Sequence, residues 1–278
     1  MIDLTERAGF PVSLDLETGE LHFGEGVATE AGGARTVGEL ADVLAFPDAA
    51  ASREDESAYL LYRGVRVASG ESVLTARGLR YDLTVTLPGD MGSELIKTAG
   101  HIHSLAPDGV GYPEIYDVLH GQAAFLLQFR DPLRVAIAMC GAGERILIPP
   151  GASHLTVNTG WEPLVVADLV AIASQNDYGE FRERRGAAVY LVRDGDSWAE
   201  RINPRYPTRP IWTVQDGSRI GDFAPGTGPI YSDAMANPGD YGWLTAPASR
   251  AAEMLALWQF ADPQQHGTGA LKPTNSGI

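Results

Sequence analysis

Apolar residues in this chain fall in short runs broken by Gly, Pro, Asn and Asp, a pattern that predicts many short strands. Residues 12–16 and 21–23 read as a hairpin turned by Glu17, Thr18, Gly19 and Glu20. In residues 81–87, Tyr81, Leu83, Val85 and Leu87 alternate with Asp82, Thr84 and Thr86. Alternation of period two predicts a strand with one buried and one polar face. Further strands are expected at 58–65, 114–119, 123–129, 135–139, 145–148, 154–157, 164–172 and 188–192. Turns are expected at His120 and Gly121, at Arg130, Asp131 and Pro132, at Gly141, Ala142 and Gly143, and at Pro149, Pro150 and Gly151. Two helices are expected. Thr36 with Glu39 three residues on forms a capping box at the head of one over 36–45. Residues 248–260 read as the other, with Ala252, Leu255, Ala256 and Gln259 on one side.

Regular short strands with turns between them close into a barrel or a double sheet such as a jelly roll, so the expected fold class is all-β. After about Asn203 the texture changes. Residues 203–210 look like an extended linker. The stretch from there to 246 is rich in Gly and Pro, yet it holds Trp212, Phe223, Tyr231, Tyr241 and Trp243. A disordered segment carries few aromatics, so an ordered wrap over the barrel is expected, followed by a polar tail after Gln265. The expected organisation is a domain over 1–202 and a C-terminal extension over 203–278, with no internal repeat.

Charge narrows the partners. Asp and Glu number 36 against 21 Lys and Arg, a formal net charge of −15. That balance argues against nucleic acid or an anionic membrane, which need clustered basic residues. It leaves room for a phosphorylated small molecule in a locally neutral pocket. The longest apolar run, 163–173, contains Asp168 and is too short to span a bilayer. Cys140 is the one cysteine, so no internal disulfide forms, a reducing cytoplasmic setting is expected, and Cys140 itself is expected to be a buried apolar residue.

Candidate chemistry gathers around Gly100, His101, Ile102 and His103. In a strand, residues i and i+2 share a face, so His101 and His103 present two imidazoles to one point. Such a pair is short and common on its own. Glu114 then heads an apolar-alternating strand that ends at Gly121, and a turn at Pro149, Pro150 and Gly151 swings His154 back toward the first pair. Three imidazoles and a carboxylate suit Fe(II), Mn(II), Ni(II), Zn(II) or Cu(II) better than the all-oxygen cations Ca(II) and Mg(II).

These motifs resemble the cupin superfamily. Gly143, Pro149, Gly151, His154 and Asn158 fit every fixed position of its second motif. The first fits from Glu114 to Gly121, but ten residues separate His103 from Glu114 where three or four are usual. Asp108 has the usual spacing. It sits in the turn-like Ala106, Pro107, Asp108, Gly109, whereas the strand after Glu114 fits the motif, so Glu114 is preferred. A narrower resemblance follows from Thr98 through His103; Glu114, Ile115 and Tyr116; Asn158, Thr159 and Gly160; and Asp177, Tyr178 and Gly179. Together with Leu61 through Val65 upstream, these are similar to the cupin-type phosphoglucose isomerases, over roughly 55–195.

That resemblance implies a cupin double-stranded β-helix and an enzyme of glycolysis and gluconeogenesis that interconverts glucose 6-phosphate and fructose 6-phosphate. It implies one divalent transition metal per chain, Fe(II) foremost with Mn(II), Ni(II) or Zn(II) as alternatives, held by His101, His103, Glu114 and His154. It assigns phosphate contact to Thr98 and Gly100, and puts Tyr116 and Tyr178 beside Glu114 as the catalytic set. A homodimer is implied as well. Asn176 stands where the family commonly has His, Val170 stands near a common Tyr, and the loop after His103 is longer. With Asn176 counted as a substrate residue, these departures leave open another metal-dependent cupin enzyme (oxygenase, epimerase or lyase) or a non-catalytic sugar-binding cupin.

Overall fold

Two sheets carry the architecture. The computed structural model describes residues 1–67, 73–130, 133–207, 211–215 and 217–260. One sheet has the order Arg145–Ile148, Glu114–His120, Leu164–Ala171, Leu79–Thr86, Ser57–Arg63, Ala31–Thr36, all antiparallel. The other runs Ser153–Asn158, Gln122–Phe129, Arg134–Gly141, Ile211–Gln215, Trp258–Phe260. Only Ile211–Gln215 against Arg134–Gly141 is parallel there. From Glu114 to Ala171 the chain crosses between the sheets at three turns and at Gly121, the winding of a jelly roll. The fold is therefore the expected all-β cupin type.

Burial differs from the expected alternation in an instructive way. Tyr81, Leu83 and Val85 are buried, but so are Asp82, Thr84 and Thr86, and every residue of Leu164–Ala171. The outer face is not open to water. Phe10 and Tyr231 pack edge-on against Tyr81, with ring centroids 5.9 and 5.1 Å away. Tyr231 comes from the C-terminal extension, whose Phe223, Tyr241 and Trp243 are also buried. Burying an aromatic side chain contributes about 1.5–3 kcal/mol, so this cover forces the polar face of Leu79–Thr86 inward. Polar contacts fasten the cover: Arg145 donates to the Gly226 and Gly228 carbonyls at 2.9 and 2.6 Å and to Asp117, and the Ile230 N–H donates to Asp117 at 3.0 Å.

The helices are shorter than the pattern suggested. The capping box forms, with Thr36 N–H on Glu39 Oε2 at 2.9 Å and Glu39 N–H on Thr36 Oγ1 at 3.3 Å, but it opens a 3-10 turn at Gly38–Val43. The second helix stops at Ala256, after which Trp258–Phe260 becomes a strand on the edge of Ile211–Gln215. Met254 and Leu257 are its buried residues, whereas Ala252, Leu255 and Ala256 face out. His120, expected in an exposed turn, ends its strand half-buried and pairs with Glu162 at 3.1 Å. Cys140 is buried as expected. Asp131, Pro132, the end of the linker at 208–210 and the tail after Gln265 lie outside the described residues.

Candidate metal centre

His101 and His154 are joined through the backbone, each N–H donating to the other's carbonyl at 3.0 and 2.9 Å. This pairing sets their imidazoles side by side, ring centroids 4.4 Å apart. His103 follows in the two-residue strand Ile102–His103, which pairs with Asn176–Asp177. The long loop that follows folds onto itself: Tyr112 N–H reaches the Ser104 carbonyl at 3.1 Å, and Ala106 N–H reaches Val110 at 2.7 Å. The ten residues between His103 and Glu114 are thus folded locally, and Glu114 arrives at the motif position. Asp108 stays on the exposed turn, where it accepts the Val110 and Ala248 N–H groups, both at 3.1 Å.

One donor atom from each of His101, His103, Glu114 and His154 lies within 4.8 Å of the others. Glu114 Oε2 is 3.0 Å from His154 Nε2 and 3.5 Å from His103 Nε2, and the Nε2 atoms of His101 and His103 are 3.0 Å apart. The Nδ1 of His103 faces the Tyr112 carbonyl at 3.0 Å and that of His154 faces Ala152 at 3.4 Å. A carbonyl partner keeps the proton on Nδ1, which turns the Nε2 lone pair inward. Inward lone pairs this close, beside a carboxylate, fit a cation between them. Burial pushes the His101 and His103 imidazoles below their ordinary value, and for His101 the neighbouring imidazoles add to it. Burial pushes Glu114 up, but the surrounding imidazoles outweigh it and hold the carboxyl below its usual range. Neutral imidazoles and an ionised carboxylate are the protonation states a divalent metal requires.

The four residues sit in a cavity of about 730 Å³, its open mouth included, which is small-ligand size. Thr98, Gly100, Tyr116, Asn176 and Tyr178 line the same cavity, so all nine residues named from the sequence meet in one place. Tyr116 donates its hydroxyl to Glu114 Oε2 at 2.9 Å, and burial together with Glu114 raises its phenol. Thr98 Oγ1 accepts the Thr156 N–H at 3.0 Å. Asn176 Nδ2 is 3.4 Å from the Tyr178 hydroxyl. Gly100 has φ +77°, and a Cβ there would stand 2.6 Å from the Phe181 ring. Gly100→Ala is therefore expected to lose at least about 1–2 kcal/mol in a urea titration, the left-handed penalty alone, and to weaken ligand binding as the Thr98–His101 turn shifts.

Sequence reasoning passed over a second set of lining residues. Arg35, Tyr59, Arg63, Arg80 and Asp168 also face the cavity. The Tyr59 hydroxyl contacts both Arg35 and the Ala99 backbone. Arg63 and Arg80 both donate to Asp82, at 2.5 and 2.9 Å, and Gly64 N–H reaches the same carboxylate at 2.8 Å. Burial pushes the Asp168 carboxyl well up, helped by Glu114 and Asp82. The available signal was the alternation of Arg80, Asp82 and Thr84, which marks one face of a strand without saying whether that face meets water or a pocket.

The family model described as Glucose-6-phosphate isomerase matches residues 34–208. The glucose-6-phosphate isomerase of Thermococcus gammatolerans is 32% identical over 202 residues, covering 71% of this chain and 96% of that one. That of Pyrococcus furiosus is 28% identical over 193 residues, covering 67% and 92%. Among solved structures, an oxalate oxidase aligns at 18% identity over 40% of this chain and 50% of its own, with a TM-score of 0.32, too loose to inform the chemistry. The matched span holds the two histidine segments, Glu114 and the whole cavity wall, and on that basis the chain belongs to the glucose-6-phosphate isomerase family, of the cupin type.

Proposed function

We propose that this chain is a metal-dependent aldose–ketose isomerase acting on glucose 6-phosphate and fructose 6-phosphate or a related sugar phosphate. The observation that carries it is the convergence of three imidazoles and a carboxylate at one wall of a cavity that also holds cationic and hydroxyl side chains. His101, His103, Glu114 and His154 would hold the metal. When bound, a divalent cation supplies Lewis-acid stabilisation of the negative charge that develops on the sugar O1 and O2.

The protein's own groups do the rest. Glu114 Oε2 carries the proton between C1 and C2, a general-base role suited to a buried carboxylate kept ionised. Tyr116 orients that oxygen through its 2.9 Å hydrogen bond. Arg35, Tyr59, Thr98 and the Gly100 backbone hold the phosphate, and Tyr178 and Asn176 close the same side. Leu61, Val166 and Val170 exclude water from the reacting carbons. The family setting supports Fe(II) as the metal, with Mn(II), Ni(II) or Zn(II) as substitutes, a homodimer, a cytosolic location, and a site confined to a 1–202 domain.

Chelation is expected to abolish conversion of glucose 6-phosphate in a coupled assay, and Fe(II) or Mn(II) to restore it. A metal-loaded protein that converts no hexose or pentose phosphate ends the isomerase assignment, and oxygen consumption with such substrates would move it to an oxygenase.

A further inference from the structure

We infer that Asp168 binds a hydroxyl in the middle of the sugar chain and so selects substrates hydroxylated there; the inference deepens the isomerase assignment and rests on it. Asp168 lines the cavity and is 3% exposed; its carboxyl meets that of Glu114 on one side, and its Oδ2 has no hydrogen-bond partner. Buried polar atoms are almost always paired, so one left open on a cavity wall marks a place for a ligand atom. Its position follows from strand register. Val170 stands opposite Glu114 and Asp168 opposite Tyr116. The Asp168 backbone is therefore two residues, about 7 Å along the strand, from the level of Glu114, and its carboxyl reaches back to meet that of Glu114, next to the metal ligands. The displacement runs toward the Leu164, Thr86, Tyr59 and Arg35 end of the sheet. A sugar with O1 and O2 at the metal ligands and its phosphate near Arg35 and Thr98 passes its central carbons over this point.

The chemistry of the spot selects a hydroxyl. Glu114, Asp168 and Asp82 lie on three adjacent strands, so a phosphate or carboxylate is disfavoured there. A hydroxyl both donates and accepts, and satisfies the open Oδ2. The guanidiniums nearest in register, Arg63 and Arg80, are engaged by Asp82.

The test compares glucose 6-phosphate with its 3-deoxy and 4-deoxy analogues, and measures binding of the non-isomerisable glucitol 6-phosphate by calorimetry. The wild type is expected to use one analogue at least about tenfold less well, the loss that follows when a site built for a hydroxyl meets none. Asp168→Ala should weaken glucitol 6-phosphate binding and glucose 6-phosphate turnover by a similar factor. It should leave the disfavoured analogue nearly unchanged when activity is compared per bound metal, since Asp168 also touches Glu114; Asp168→Asn should retain part of the preference. Equal use of all three sugars by the wild type, which needs no variant, overturns the inference, as does full discrimination in Asp168→Ala. Asp168-dependent binding without isomerisation would leave the inference standing and remove the isomerase assignment, whereas absent binding of glucitol 6-phosphate removes this inference even if isomerisation is intact.

Discussion

Glu114→Gln is expected to lower kcat by about 10²–10⁴-fold, the contribution of a positioned general base, in a protein that still folds. The amide keeps the shape of the side chain and loses the charge. Glu114 Oε2 is the point where the Tyr116 hydroxyl at 2.9 Å and His154 Nε2 at 3.0 Å converge. An amide nitrogen in that place would confront the Tyr116 hydroxyl donor, and an amide oxygen would accept from it without attracting a cation. Elemental analysis separates the two consequences: metal content should fall, and activity per bound metal should fall further. Activity per metal within threefold of wild type would remove Glu114 from the proton transfer and leave it as a ligand alone.

Asp82→Ala is expected to destabilise the protein by about 3 kcal/mol, the low end for removing one partner of a buried ion pair, or roughly 6–12 °C in thermal midpoint for a chain of this size. Asp82 is fully buried and holds Arg63, Arg80 and the Gly64 N–H together. Its removal leaves two guanidiniums confronting each other and a turn N–H without its acceptor. The low end applies because Arg63 and Arg80 are 33% and 28% exposed and regain some water. Replacing both arginines by Met in the Asp82→Ala background should recover part of the loss, because the uncompensated charges go with them. A midpoint within 2 °C of wild type for Asp82→Ala alone would show that the triad carries no stability.

Much of the site was legible before the structure because its determinants are local. His101 and His103 share a face through the two-residue period of extended chain, and the turn at Pro149, Pro150 and Gly151 sends His154 back along the next strand. Strand positions followed from alternation and turn residues, and the Thr36 and Glu39 caps formed as read. Ala31–Thr36 escaped notice because two glycines and an exposed, polar sequence carry no strand signal; it exists because the edge of Ser57–Arg63 supplies backbone partners.

What the amino-acid order determined by itself was most of the strands between 57 and 192 and the shared face of His101 and His103, since these rest on interactions within a few residues. Tertiary structure alone decided that the face carrying Asp82 and Thr84 turns inward, that Arg63 and Asp168 join the cavity wall, and that the helix after Ala251 gives way to a strand at Trp258. Each of those outcomes depends on which surface covers the other side of a sheet or which strand edge lies open nearby. Such neighbours are brought together by residues tens of positions away, more than a hundred for the cover over Tyr81, and no local pattern encodes them.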